Sequence, residues 1–144
     1  MNYGVTAAAD ALGGKAWTVV GQTYTPKLRS ENAFIWHAVI PAGTFVPPHI
    51  HPLQDEWIYV LEGQLEIEFG DEKHPAGPGD TVFMPKGIAH GIFNRSGETA
   101  SCTFGVAPTG RLFELFGKLD GVTDPVELVR ISAEHDVDFL PPPG

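Results

Sequence analysis

The chain has 144 residues and a mass of 15.5 kDa, the size of one ordinary domain built around a single hydrophobic core. Apolar residues make up 42%, charged residues 19% and aromatics 10%, a composition that excludes both a disordered chain and a membrane protein of apolar helices. No run nears the ~18 consecutive apolar residues a spanning helix needs. Nine Lys plus Arg face 18 Asp plus Glu, for a net charge of −9 and a pI near 4.9. Nucleic acid and anionic membranes draw affinity from clustered cations, so neither is an expected partner. Met1 to Ala16 has no cationic segment ahead of an apolar run, and a cytoplasmic location is expected. Cys102 is the single cysteine, which rules out an intramolecular disulfide and a cysteine-based zinc site. Any metal must be held by histidine and carboxylate.

The 17 glycines and 13 prolines are spread as punctuation between short apolar runs, at nearly twice the ~12% usual in soluble proteins. In chain order the runs Trp17–Tyr24, Ala33–Ile40, Trp57–Leu61, Gln64–Phe69, Thr81–Met84, Gly91–Asn94 and Ser101–Val106 read as strands of an all-β sandwich or barrel. In Gln64–Phe69, Leu65, Ile67 and Phe69 alternate with Glu66 and Glu68, so one face is buried and the acidic face is expected in solvent. On the run after Leu53, parity sets Glu56, Ile58 and Val60 on one side and Trp57, Tyr59 and Leu61 on the other. After Val106 the period changes. Leu112, Leu115, Phe116 and Leu119 form the stripe of an amphipathic helix, and Asp124, Pro125 and Glu127 read as the cap of a second helix running to about His135. These helices either pack on the outside of the β-domain or line an opening or a dimer contact. Phe139 to Gly144 ends in prolines and cannot continue a helix. The whole chain, 1–144, is thus expected to be one domain, with a barrel core over about 17–106 and a helical tail over 110–144.

His49 and His51 are one residue apart, so on an extended strand both imidazoles project from the same face. Two histidines at that spacing are, by themselves, more often structural or surface residues than ligands. Glu56 follows five residues on, and His90 lies beyond an intervening hairpin. Three imidazoles and a carboxylate suit a borderline divalent ion. Of the other histidines, His74 sits in a charged loop and is expected to be exposed, and His135 ends a helix, where the dipole favours a cation. His37 has no settled face. The runs Ala33–Ile40 and Ser101–Val106 contain no Lys or Arg, which disfavours a phosphorylated substrate and favours an uncharged or weakly acidic, apolar, flat one. Lys27, Arg29 and Lys86 remain available to a pocket from elsewhere.

Gly43-x5-His49-x-His51-x4-Glu56-x6-Gly63 and Gly79-x5-Pro85-x-Gly87-x2-His90-x3-Asn94 match the two cupin motifs at every fixed position, with 15 residues between them. The chain resembles a monocupin over Gly43–Asn94. The resemblance implies a double-stranded β-helix, the cupin jelly-roll barrel, followed here by two short C-terminal helices. It further implies one divalent transition metal per chain, among Fe, Ni, Mn, Co, Cu and Zn, held by His49, His51, Glu56 and His90. Glu56 is the candidate catalytic group, a ligand able to act also as general base. Gly43, Gly63, Gly79 and Gly87 are expected at turns with positive φ, and Asn94 at a structural turn. Four protein ligands leave one or two positions open for substrate. The tail from Arg111 to Pro143 resembles that of quercetinase-like cupin dioxygenases, which implies a dioxygenase for a phenolic or enolic aromatic substrate. The alternatives are a non-redox isomerase, cyclase or lyase, and a small-molecule-binding cupin. Monocupins commonly pair, and a homodimer is expected, with strand Gln64–Phe69 and the striped helices covering a sheet edge.

Overall fold

The computed structural model describes residues 3–141. Its eleven strands are β1 (Trp17–Val19), β2 (Gln22–Arg29), β3 (Phe34–Ile40), β4 (Phe45–Ile50), β5 (Asp55–Glu62), β6 (Leu65–Phe69), β7 (Glu72–Ala76), β8 (Thr81–Met84), β9 (His90–Phe93), β10 (Ala100–Ala107) and β11 (Asp138–Phe139). Helices α1 (Leu112–Leu119) and α2 (Pro125–Ala133) stand between β10 and β11. All pairings are antiparallel and make two sheets, in the orders β1-β2-β3-β10-β5-β8 and β11-β4-β9-β6-β7. This is the expected all-β jelly roll with two short helices. No helix among the described residues is long and apolar enough to cross a membrane.

The core follows strand parity. Phe34, Trp36, Ala38 and Ile40 of β3 are buried, as are Ile58 and Val60 of β5, while Tyr59 and Leu61 face outward. His37 is half-buried on the outer side of β3, opposite Thr103 and Thr25, and takes no part in the interior; burial and then Lys27 lower its pKa. The α1 stripe Leu112, Leu115, Phe116 and Leu119 is buried as its period predicts, and Phe116 meets Trp36 edge-on at 4.9 Å between ring centroids. Asp124 caps α2 by accepting from the Val126 amide at 3.0 Å, but Glu127 pairs with Arg130 instead of completing a capping box. Gly43, Gly63, Gly79 and Gly87 all have φ between +79° and +88°. Gly63 is doubly constrained, since a Cβ there would come within 2.8 Å of the Ala100 backbone.

Several elements depart from expectation. Trp17–Tyr24 is two strands, because Val20 and Gly21 at φ +49° and +79° make a tight hairpin. Strand β4 forms despite Pro47 and Pro48: the register to β9 gains one residue between Val46 and His49, and this bulge absorbs the missing donors. His74 is exposed, but on edge strand β7 rather than in a loop. Glu66 and Glu68 are only partly exposed and both pair with Arg95. Strand β6 lies between β9 and β7, so it offers no edge to a dimer partner; the edges are β1, β8, β7 and β11. His135 follows α2 but is buried, with Nδ1–H donating to the Ile131 carbonyl at 2.8 Å, so it is no exposed terminal cation. Pro142–Gly144 and the first two residues lie outside the described residues.

Candidate metal centre

The site is assembled from both sheets. His49 is on β4 and His51 one residue past its end, Glu56 is on β5, and His90 opens β9 directly opposite His49. The extra residue of the Pro47–Pro48 bulge sets His49 on the same side as His90, with ring centroids 4.4 Å apart. The turn between β8 and β9 is tied to the first motif by the Gly87 amide donating to the His51 carbonyl at 2.9 Å and the Lys86 amide donating to Asp55 Oδ1 at 3.0 Å. All four side chains are buried, and one donor atom from each lies within 4.8 Å of the others.

The hydrogen bonds around the rings decide which nitrogens face inward. His49 Nδ1 is 2.8 Å from the Pro47 carbonyl and His90 Nδ1 is 3.3 Å from that of Ile88. A carbonyl only accepts, so each Nδ1 carries the proton and each Nε2 presents a lone pair. Gln54 does the same for His51. Its Nε2 donates to the carbonyls of Pro108 at 3.0 Å and Thr109 at 2.7 Å, which orients the amide so that Oε1 accepts from His51 Nδ1 at 2.9 Å. Three imidazole lone pairs and the Glu56 carboxylate therefore converge, with His90 Nε2 2.9 Å and His51 Nε2 3.6 Å from Glu56 Oε1. Four donor atoms so close together could hold a cation, and the donor set suits a borderline transition ion. Burial holds the His49 imidazole down to about 3, with His90 and His51 pushing the same way. Burial pushes Glu56 upward, but the imidazoles of His51 and His90 outweigh it and leave the carboxyl at about 2. His49 is thus a neutral ring and Glu56 the anion of the cluster, which suits a divalent ion.

The mouth of the barrel is closed by the tail. The cavity next to the cluster is about 50 Å³, walled by Trp36, Ile92 and Phe104 from the sheets and by Leu115, Phe116 and Leu128 from the helices. Phe139 of β11 pairs with His49, and the two rings lie 5.3 Å apart. The helices therefore line the opening rather than pack elsewhere. No Lys or Arg lines this cavity: Lys27 is held by the carbonyls of Ala7, Ala8 and Asp10, Arg29 stacks on Phe113 at 3.9 Å, and Lys86 is exposed. Tyr24 lines the same space and donates to Gln22 Oε1 at 2.8 Å; burial, then Glu56, raises its pKa, so the hydroxyl stays protonated. Asn94 is the expected turn residue, donating to the Ile40 and Glu98 carbonyls and accepting from Ser96. Gln54 and Tyr24 escaped the sequence reading as site residues. Gln54 sits between two motif positions, and its burial was the one property that would have marked it.

Residues 36–106 match the Cupin_2 family, described as a cupin domain. Those residues are a cupin domain. Among curated relatives of this cupin, the protein SchB of Streptomyces halstedii is 30% identical over 79 residues, 55% of this chain and 57% of that protein. The tetracenomycin polyketide synthase protein TcmJ of Streptomyces glaucescens is 30% identical over 97 residues, 67% of this chain and 63% of that protein. The cupin thus spans less than two thirds of either relative. Among solved structures, an RmlC-like cupin from Shewanella frigidimarina superposes with a TM-score of 0.62 at 15% identity, covering 74% of this chain and 96% of that one, a likeness of fold.

Proposed function

We propose that this cupin is a metal-dependent enzyme acting on a small, apolar, phenolic or enolic ring compound, and that it is a dioxygenase of quercetinase-like type. The observation that carries the reading is the convergence of three Nε2 lone pairs and the Glu56 carboxylate in a buried cavity with no Lys or Arg in its wall. His49, His51, His90 and Glu56 are the residues that would hold the ion. A transition ion there supplies Lewis acidity and, if redox-active, a centre that substrate and dioxygen can share.

The chain's own contribution is positioning and proton transfer. The Pro47 and Ile88 carbonyls and Gln54 lock the three rings, so the open side of the cluster faces the apolar wall. Trp36, Phe104 and Phe116 take a flat ring and exclude water. Glu56 takes the substrate's hydroxyl proton on its oxygen, acting as general base from a fixed strand position. A ring compound exceeds the present cavity, so α1, α2 and β11 must yield to admit it.

A second reading has its own support. One of the Streptomyces relatives reported above is by name a polyketide synthase protein, which favours a non-redox cyclisation of an enolic polyketide. Oxygen-electrode assays with flavonols, dihydroxyaromatics and β-diketones separate the two: oxygen uptake supports the dioxygenase, and conversion without uptake supports the cyclase. Glu56→Gln, reloaded to wild-type metal occupancy, tests the base. A loss of ~10²-fold or more in turnover is expected, and a loss of only a few-fold refutes the role.

A further inference from the structure

Among the described residues, three buried polar side-chain atoms have no hydrogen-bond partner: Trp36 Nε1, Ser132 Oγ and His135 Nε2. Two of these three belong to residues that line the cavity beside His49, His51 and Glu56. Trp36 is 1% exposed and Ser132 is fully buried. More than nine in ten buried polar groups are paired, and an orphan is destabilising. A helical serine ordinarily returns its hydroxyl to the carbonyl four residues back, yet Ser132 makes no such bond and faces a wall otherwise built from Leu115, Phe116 and Leu128. Alanine there would escape the cost. Two unpaired donors on residues that line one largely apolar cavity, Trp36 from β3 and Ser132 from α2, have the character of binding groups whose partner arrives with a ligand.

The chemistry of these donors restricts that partner. The indole N–H can only donate, so the atom it meets is an acceptor. With no Lys or Arg in the wall, the acceptor is neutral, because a phosphate or carboxylate buried there would have no counter-charge. We propose that Ser132 Oγ–H and Trp36 Nε1–H bind a carbonyl or phenolic oxygen on the body of the substrate, at the end away from the four-donor cluster. This rests on the reading of the cavity as the substrate site, and it narrows the substrate to a neutral apolar ring compound oxygenated at two separated positions. It also gives α2 a specificity-determining residue. His135 Nε2 is outside this cavity and has no part in it.

A matched pair of probes tests this. 5-Hydroxy-1-tetralone and 5,6,7,8-tetrahydro-1-naphthol share a bicyclic skeleton and a phenol, and differ by one ketone on the far ring. Calorimetric titration of zinc-loaded wild type is expected to give at least ~10-fold tighter binding of the ketone, since one hydrogen bond to a buried, otherwise unpaired donor is worth about that factor. In Ser132→Ala the ratio should fall to within about threefold, by weaker ketone binding alone, and Trp36→Phe should act in the same direction. Ser132→Ala without ligand should melt at or above the wild-type temperature, a result that a hydroxyl with a structural bond would reverse. Both probes binding with a ratio unchanged in Ser132→Ala and Trp36→Phe overturns the proposal and leaves the substrate site standing. Failure of wild type to bind either probe overturns both.

Discussion

Gln54→Leu keeps most of the side-chain volume and removes all three of its hydrogen bonds. It strips the acceptor from His51 Nδ1 and the donor from the carbonyls of Pro108 and Thr109. Pro108 is exposed and regains a partner from solvent, and the Thr109 carbonyl keeps the Leu112 amide at 3.3 Å, so the loss falls on one buried group, the His51 ring. At ~1–3 kcal/mol for a buried polar group left unpaired, the metal-free protein should lose about that much stability. The His51 ring is also freed to turn or to change tautomer, and losing such an outer partner costs ~10–100-fold in metal affinity. Urea unfolding of the metal-free variant measures the first effect and calorimetric titration with Zn²⁺ the second. Gln54→Glu separates them: it retains an acceptor for His51 but cannot donate, so stability should fall while affinity is largely kept. A Zn²⁺ affinity for Gln54→Leu within twofold of wild type would refute the claim that Gln54 fixes the His51 tautomer.

His49→Ala and His51→Ala should each strip most of the metal, and near-stoichiometric metal by elemental analysis in both would sink the ligand assignment. The metal-free protein should lose stability on acidification. His49 titrates near 3 when folded against 6.5 unfolded, and Glu56 near 2 against 4.5, so only the unfolded chain gains these protons as the pH falls through 6.5–3 and 4.5–2. Each group contributes up to about 1.4 kcal/mol per pH unit inside its window, and His49→Phe should flatten the upper part, from pH 6.5 to 4.5. An identical slope in that variant, by urea unfolding, would contradict the assignment. We also expect a homodimer, with the exposed outer face of β5 and β8, including Tyr59, Leu61 and Phe83, as the contact; light scattering at 15.5 kDa across a wide concentration range excludes it.

What was legible in the sequence had local causes. The alternation of Leu65, Ile67 and Phe69, the α1 stripe and the Asp124 cap are written in neighbouring residues, and the structure realises each. The four donor residues were legible because cupin spacing is a chain-local property. The rest depended on distant pairing. Pro47 and Pro48 hid β4 because its bulge is visible only against β9. Val20 at positive φ hid the first hairpin, since a β-branched residue there defies the usual turn signal. Glu72, Lys73 and His74 read as loop because charge suits an edge strand equally well. Ser132, Trp36 and Gln54 gained their roles from burial that packing across the sheets and the tail creates.

The pairing of Phe139 with His49 joins positions some ninety residues apart, and it fixes an order of assembly. Every residue of the four-donor cluster, and every strand of the six-stranded sheet, lies at or before Ala107. During synthesis the six-stranded sheet, strands β4, β9, β6 and β7 and their convergent donors can come together while α1, α2 and β11 have yet to emerge. At that stage the barrel mouth is open, and an ion reaches the donors without passing the tail. Once β11 docks, the route is shut by Phe139 and the helices. A chain refolded from denaturant without metal has no such interval, because its tail is present from the start. Its loading then requires the cap to move, so the growing chain would offer an ion a direct route that the finished molecule opens only by displacing its tail.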